Sequence, residues 1–182
     1  MSEKTRYVAL LRGINVGGHH KVPMGQLRDE MEKISCEDVV TILNTGNIIF
    51  SATPEPIEKI QQKLKKHLEA VFGFAIPVLV RTASTIATLF EQHPFEAIAV
   101  TKETRLYVSF LMDPPEIELS LPWISEDKGY QILEIRENSV YSVLDLGISK
   151  TPKGMEALER LFGKNTTTRN WNTLKRILAK LP

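Results

Sequence analysis

Residues 39–50, Val-Val-Thr-Ile-Leu-Asn-Thr-Gly-Asn-Ile-Ile-Phe, decide the fold of the first half of the chain. Two short apolar runs, rich in β-branched residues, flank the polar turn Asn44-Thr45-Gly46-Asn47, and this composition predicts a β-hairpin. Glycine and asparagine suit such a turn, because both tolerate backbone conformations that other residues avoid. The hairpin supplies two neighbouring strands, from which the surrounding elements can be placed.

A strand and a helix precede this hairpin, and a helix and a strand follow it. Arg6–Leu11 is rich in Tyr, Val and Leu, which favours a strand, and apolar residues recur at helical spacing between Pro23 and Ile34. The spacing of apolar residues over Ile57–Val71 predicts an amphipathic helix that ends at Gly73. Phe74–Val80 then predicts another strand. The resulting β-α-β-β-α-β order is ferredoxin-like.

The remainder of the chain predicts a second α/β subdomain, at residues 83–182, packed tightly on the ferredoxin-like subdomain at residues 1–82. Strands are predicted over Arg105–Met112 and in a hairpin that turns near Glu137-Asn138. We therefore expect an α+β fold in which two parts of different regularity share one chain.

Two helix starts in the second half carry recognisable signals. Thr151 is predicted to cap a helix with its hydroxyl, with Pro152 at the first helical position. The polar segment 166–173, which contains several Thr and Asn residues, is interpreted as capping a terminal helix that begins near Trp171. The simplest role for Trp171 is that of a core anchor for this helix.

The composition is that of a globular protein, with 42% hydrophobic and 25% charged residues. No apolar run is long enough to span a bilayer or to resemble a secretory signal, so we expect no membrane association. Cys36 is the single cysteine, which excludes an internal disulfide and a multi-cysteine metal site. It is predicted to pack as a small hydrophobe, and the chain to be cytoplasmic.

The net charge of +1 conceals an uneven distribution along the chain. Residues 1–28 contain five Lys or Arg and one acid, and residues 146–182 contain eight and two, so the two ends carry +10 and the middle −9. If the ends meet in the fold, they form a basic pole that attracts phosphates. If the segments intermix, the charges offset one another, which is the simpler interpretation.

The first candidate site is the glycine-containing loop between the first strand and the first helix. Glycines expose backbone N–H groups there, and a helix start favours anions. The residues predicted to bind a ligand in this loop are Arg12, Asn15, Gly17, Gly18 and Lys21. The spacing matches neither a P-loop nor the dinucleotide fingerprint. The alternative is a long connecting loop that needs glycines only for its turns.

The second candidate site is the turn itself, through Asn44 and Asn47. In the predicted sheet the first and third strands are antiparallel neighbours, so Arg12 should lie beside Asn47 and the loop should meet the turn at one edge. Ligand sites are commonly built on such converging loops. His19 and His20 are adjacent and would point to opposite faces of an extended segment, so no metal site is predicted.

The third candidate site is the polar segment before the terminal helix, where Arg169 and Trp171 could pair with an anion or stack on a ring. Helix capping and core packing explain the same residues without a ligand. The sequence singles out no nucleophile with a base and no paired carboxylates, and it identifies no cofactor.

Three segments, Leu11–Gly18, Thr45–Phe50 and Thr168–Thr173, stand in the order found in one bacterial family. By these motifs the chain resembles the domain-of-unknown-function family 1697 over nearly its whole length. Members often carry Ser where this chain has Thr45, and they vary at His19-His20. The resemblance implies a compact α+β fold with a ferredoxin-like part, and it brings no activity, cofactor or catalytic residue.

Three functions remain open on this sequence. The favoured hypothesis is a binding module for a phosphate-bearing or anionic ligand, either a nucleotide or nucleic acid. The second is a small-molecule enzyme with its site at the 13–22 loop and the 44–47 turn, where His19 or His20 could help to orient an anionic substrate. The third is a protein-interaction module. The sequence specifies neither the reaction nor the oligomeric state.

Overall fold

A computed structural model describes residues 3–182 of the chain. The elements, in chain order, are β1 (Thr5–Leu11), α1 (Met24–Lys33), β2 (Glu37–Ile42), β3 (Asn47–Ala52), α2 (Ile57–Phe72), β4 (Val78–Thr82), α3 (Ala83–Glu91), β5 (Thr104–Leu111), β6 (Trp123–Ile124), β7 (Tyr130–Arg136), β8 (Ser139–Asp145), α4 (Thr151–Phe162), β9 (Thr166–Asn170) and α5 (Trp171–Leu178). The chain divides into two compact units. The first unit contains the residues up to Leu89 together with Arg176–Pro182, and the second contains Phe90–Lys175.

The first unit is built on a four-stranded sheet in the order β2-β3-β1-β4, in which every neighbouring pair is antiparallel. Its elements follow the predicted β-α-β-β-α-β order. The predicted hairpin is present as β2 and β3. Because β1 pairs with β3, Leu10 lies directly opposite Asn47, and the end of the first strand therefore meets the start of the third.

The helices α1 and α2 cover one face of this sheet and form its apolar core. Alternate residues of β1 point into that core, which also contains helix residues at the predicted spacing. Its main contributors are Tyr7, Ala9, Leu11, Leu27, Met31, Phe50, Ile60, Leu64 and Leu68. Cys36 packs in the same core as predicted, and its burial raises the pKa of the thiol to about 11.

The end of α2 confirms one sequence prediction and corrects another. Gly73 adopts a left-handed backbone (φ +79°) and ends the helix, as predicted. The following strand, however, begins at Val78 and not at Phe74. The backbone N–H of Ile76 donates to the carboxylate of Glu69 on α2 at 3.0 Å, so this stretch is tied to the helix before the sheet begins.

The second unit contains a five-stranded sheet in the order β6-β7-β8-β5-β9, again with antiparallel pairs only. The hairpin of β7 and β8 turns at Glu137 and Asn138, as predicted, and both residues have positive φ (+43° and +60°). Such a two-residue turn matches the right-handed twist of the strands it joins. α4 packs on the sheet, with Leu158 in a cluster with Tyr130 and Leu144.

Two local predictions in this unit need correction. The segment interpreted either as a helix cap or as a ligand-binding patch forms the strand β9, which pairs with β5 so that Asn170 lies opposite Tyr107. Asn170 does also cap α5, because its Oδ1 accepts the backbone N–H of Asn172 at 2.9 Å. Thr151 is the first residue of α4 and does not cap it; the N-cap is Lys150, which forms no side-chain capping bond.

A charged cluster joins α1 to α2 at the margin of the first core. Lys33 Nζ donates to Oε1 of Glu30 at 2.7 Å, and Nε2 of His67 on α2 lies 2.9 Å from Oε2. The hydrogen bond from Lys33 is the main cause that lowers the pKa of Glu30 below its ordinary 4.5, and it raises the pKa of Lys33. The ionised carboxylate is therefore the form that the folded protein favours.

We predict that Glu30→Gln makes the stability of the protein less dependent on pH in the acidic range. Since folding lowers the pKa of Glu30, its contribution is present above about pH 4.5 and is lost as the pH falls through the lower pKa of the folded protein. The free energy of unfolding measured with urea should therefore fall more steeply below pH 4.5 for the native protein than for the variant. Glu32→Gln, on the exposed side of the same helix, is the control; equal slopes for all three proteins would contradict the prediction.

Candidate functional site

The glycine loop after β1 is an ordered miniature hairpin. Val16 and His19 form a β-bridge, and the intervening Gly17 and Gly18 both have positive φ (+58° and +79°). A type I′ turn requires positive φ at both central residues, which accounts for the glycine pair. Asn15 N–H donates to the carbonyl of His20 at 3.0 Å and continues the pairing. The two glycines therefore have a structural reason to be there.

Asn15 holds this loop in place with its side chain. Its Nδ2 donates to the carbonyl of Val22 at 3.0 Å and to that of Asn44 at 2.7 Å, and its Oδ1 accepts the N–H of Val22 at 2.8 Å. Both amide hydrogens are thus used inside the protein. Asn15 closes the loop upon itself and fastens it to the turn before β3.

Asn47 has an equivalent role within the turn. The side chain is completely buried, and its Nδ2 donates to the carbonyl of Ile42 at 2.9 Å and to Oγ1 of Thr45 at 3.0 Å. An asparagine that bonds to neighbouring backbone in this way stabilises a turn. Asn47 was predicted to contact a ligand, but its burial leaves no amide surface for one.

Gly46 is required by the close approach of the turn to β1. Its φ is +80°, and a Cβ placed there would lie 2.6 Å from Cβ of Leu11 and 3.0 Å from Cδ1 of Ile14. The Leu11 N–H donates to the Gly46 carbonyl at 2.8 Å. The backbone at Gly46 therefore packs so closely on β1 that no side chain fits at this position.

The loop and the turn meet at one edge of the sheet, as the topology predicted. The amide groups of Asn15 and Asn47, however, form hydrogen bonds within the protein. Arg12 is half-buried, while Gly17, Gly18, Lys21 and Asn44 are exposed. The ring of His20 stacks on Phe74 with a centroid separation of 4.4 Å. In the described part of the chain, no group of three or more His, Cys, Asp or Glu is placed to hold a metal ion.

Trp171 belongs to the second unit, where it is a fixed core residue. It is 9% exposed, its ring stacks on Phe90 at 4.1 Å, and the edge of Phe95 lies 5.1 Å away between centroids. The core-anchor interpretation is confirmed. Among residues 3–182, no helix has both the length and the apolar character needed to cross a membrane.

Arg169 lies on the opposite face of β9 from Asn170, because successive strand residues alternate. Its Nη1 donates to the carbonyl of Thr168 at 3.0 Å. Burial lowers the pKa of Arg169 to about 10, so the guanidinium remains charged at neutral pH. Arg169 is therefore half-buried and Trp171 is buried, whereas Gly17, Gly18 and Lys21 in the loop of the first unit are exposed.

A cavity of about 480 Å³ lies where β5 begins and β9 ends, and we call it the Arg105 cavity. Two cationic side chains, Arg105 and Lys175, line it together with Asn170, Trp171 and Asn172. Sequence analysis missed Arg105 and Lys175 because they are far apart in the chain. The pairing of β5 with β9 brings their elements together, and a basic residue near a strand start carries no signal of its own.

We predict that Gly46→Ala is much more destabilising than Gly73→Ala, although both glycines have nearly the same φ. Each alanine incurs about 1–2 kcal/mol of left-handed strain. Only at position 46 does the added methyl overlap its neighbours, which adds about 1–3 kcal/mol; nothing lies within 4 Å at Gly73. Urea denaturation followed by circular dichroism measures both losses, and equal losses would contradict the packing argument.

We predict that Asn47→Ala lowers stability by about 1–3 kcal/mol, since it removes the side-chain hydrogen bonds from a buried amide to the Ile42 carbonyl and to Oγ1 of Thr45. Asn44→Ala is the matched control in the same turn. Its side chain is exposed, and only its backbone carbonyl is used, so the change should stay within about 0.5 kcal/mol. If the two variants unfold at the same urea concentration, the side chain of Asn47 does not stabilise the turn.

Comparison with known proteins agrees with this architecture. The sequence pattern of a family described as "Protein of unknown function (DUF1697)" matches residues 4–141. No functionally curated protein matches the sequence. Among solved structures, the conserved bacterial protein SP0830 from Streptococcus pneumoniae has a TM-score of 0.76 and 23% identity, covering 99% of this chain and 100% of that chain. At this identity the likeness shows a shared fold. Because the family pattern covers well over half of the sequence, the chain belongs to the DUF1697 family.

Proposed function

We propose that the protein binds a phosphate-bearing or otherwise anionic small molecule in the Arg105 cavity. The observation that carries the proposal is the charge of the lining: Arg105 and Lys175 are cationic, and none of the residues described around the cavity bears a carboxylate. Two cations facing a partly enclosed space without a counter-charge repel one another, and an anion between them removes that repulsion.

Arg105 is held in a defined position for such a role. Its Nη1 donates to the carbonyl of Lys102 at 2.8 Å and to that of Thr104 at 3.0 Å. A guanidinium has five N–H donors in a rigid fork, so this anchoring leaves donors on Nε and Nη2. A pre-positioned fork recognises phosphate or carboxylate oxygens with little loss of side-chain entropy.

The start of α5 adds donors that favour the same kind of ligand. Asn170 uses Oδ1 to accept the N–H of Asn172, so its Nδ2 group remains as a donor beside the cavity. The first turn of a helix also presents backbone N–H groups with a partial positive charge. These groups reinforce the charge of Arg105 and Lys175 and do not depend on protonation.

Trp171 gives the cavity a rigid apolar wall. Because its ring is stacked on Phe90 and only 9% exposed, it cannot swing out to clamp a ligand, but it can contact a base or an alkyl group of the ligand. The volume of about 480 Å³ lies within the range of small-molecule sites. A mononucleotide or a phosphorylated metabolite has the matching chemistry.

Binding is a better proposal than catalysis at this place. The described lining contains no carboxylate, histidine or cysteine that could act as a general acid, base or nucleophile near neutral pH. At the loop and turn of the first unit, the amides of Asn15 and Asn47 brace the backbone. An enzyme site at the loop and turn could not use these two amide groups to bind a substrate.

We predict that inorganic phosphate, pyrophosphate and AMP perturb the fluorescence of Trp171 in a Trp123→Phe protein, in which Trp171 is the sole tryptophan. Arg105→Gln and Lys175→Gln should each weaken binding at least about tenfold, because each removes a charged hydrogen bond worth about 1.5–3 kcal/mol. Lys164→Gln, which removes a cation outside this cavity, should leave the dissociation constant unchanged.

Thermal unfolding of the unaltered protein provides a second readout. A ligand at a hundred times its dissociation constant should add about 2.7 kcal/mol of stability. Absence of any shift with all three anions, or binding by both glutamine variants as tight as that of the unaltered protein, would rule the proposal out. Tight binding of a 20-nucleotide single strand that weakens steeply with salt, with no effect of AMP, would instead identify nucleic acid as the ligand.

A further inference from the structure

A second cavity in the same unit, of about 400 Å³, lies between the β6–β7 hairpin and α4. We call it the Asp127 cavity; it shares no lining residue with the Arg105 cavity. Its apolar walls come from Trp123 and Tyr130 on the hairpin and from Ala157 and Leu161 on the helix. Trp123 meets Tyr130 edge to face, with ring centroids 6.5 Å apart.

The charges around the Asp127 cavity are mixed, in contrast to the purely cationic lining of the first. Glu126 and Asp127 stand at the turn of the hairpin, whereas Lys153 and Arg160 stand on α4 with Glu156 between them. Lys153 and Arg160 are seven residues apart, which places them roughly 10 Å apart along the helix. A ligand here meets both signs of charge within one small space.

Asp127 is fixed as an anion at the hairpin end. The hydroxyl of Ser125 and the backbone N–H of Gly129 both donate to its Oδ1, at 2.7 and 3.0 Å. These bonds, the one from Ser125 first, lower the pKa of Asp127 to about 2. The carboxylate is therefore negative at every physiological pH and does not need to be deprotonated when a cation arrives.

Ser149 is the observation that points to a ligand. It is 5% exposed and lines the cavity, and its hydroxyl is buried with no hydrogen-bond partner among the described residues. The hydroxyl is near enough to Asp127 to help lower the pKa of that carboxyl, without reaching hydrogen-bond geometry. A buried hydroxyl without a partner is costly, and a donor bound beside Asp127 would satisfy it.

We propose that the Asp127 cavity binds a zwitterionic amine of the α-amino-acid type with an apolar side chain. Its ammonium group lies at Asp127 and Ser149, its carboxylate faces the cations of α4, and its side chain packs on Trp123 and Leu161. An ammonium has three donors, which suffice for the Asp127 carboxylate and the Ser149 hydroxyl. The inference is independent of the function proposed for the Arg105 cavity.

The probes are L-leucine and L-phenylalanine, with two derivatives of leucine that each lack one charge. N-acetyl-L-leucine has no ammonium, and L-leucinamide has no carboxylate. Binding is read from Trp123 fluorescence in a Trp171→Phe protein and, because that change removes a core ring, from thermal unfolding of the unaltered protein as well. We expect the free amino acids to bind at least about tenfold more tightly than either derivative.

Two variants connect each charge of the ligand to its partner. Asp127→Asn retains an oxygen that accepts from Ser125 and Gly129, and Arg160→Gln lies on an exposed helix position, so both should fold. Asp127→Asn should weaken leucinamide but not acetyl-leucine, and Arg160→Gln should do the reverse. Lys164→Gln, which removes an exposed cation outside both cavities, is the control and should affect neither derivative.

Each contrary outcome is distinct. If leucine and phenylalanine produce no fluorescence change and no thermal shift up to tens of millimolar, the site does not exist. If acetyl-leucine and leucinamide bind as tightly as leucine, the charges of Asp127 and Arg160 play no part and the zwitterion assignment is wrong. Loss of phosphate binding in Asp127→Asn would show that the two cavities are not independent, and would overturn the proposal in its present form.

Discussion

The close approach of the turn before β3 to the end of β1 is the constraint on which the first unit depends. The Gly46 backbone lies where a side chain would overlap Leu11, and the Leu11 N–H donates to its carbonyl. Asn47 shapes the turn from inside, and Asn15 fastens the glycine loop to Asn44 from outside. Backbone hydrogen bonds and one missing Cβ therefore fix how loop, turn and central strand fit together.

The first two segments by which the family is recognised contain residues with structural roles. Gly17, Gly18, Gly46 and Asn47 all have structural reasons for their identity, either a positive φ or a buried amide. A motif made of such residues marks a shared fold, and it need not mark a ligand site. The two cavities lie in the second unit. The third segment, Thr168–Thr173, contributes Asn170, Trp171 and Asn172 to the Arg105 cavity, but the charged residues of both cavities lie outside the three segments.

Sequence analysis succeeded where structure is determined locally and failed where it depends on distant partners. The spacing over α2 and the glycine after it predicted that helix to within a residue or two, because amphipathic periodicity and a left-handed end are local properties. β9 was missed because Thr166–Asn170 becomes a strand only by pairing with β5, about sixty residues earlier. Asn15 and Asn47 were assigned to a ligand because a bracing amide and a binding amide look alike in sequence.

The family pattern covers only part of each proposed site. The match ends at residue 141, so it includes Arg105 and Asp127 but neither Lys175 nor Arg160. Each cavity is therefore completed by α4 or by α5, outside the matched range. A relative with the same turns but other charges on these helices would retain the fold and lose one of the two charged groups of each proposed site. If the proposed ligands bind, the charges on the two C-terminal helices would decide which ligand this chain selects, while the glycine and asparagine turns maintain the scaffold.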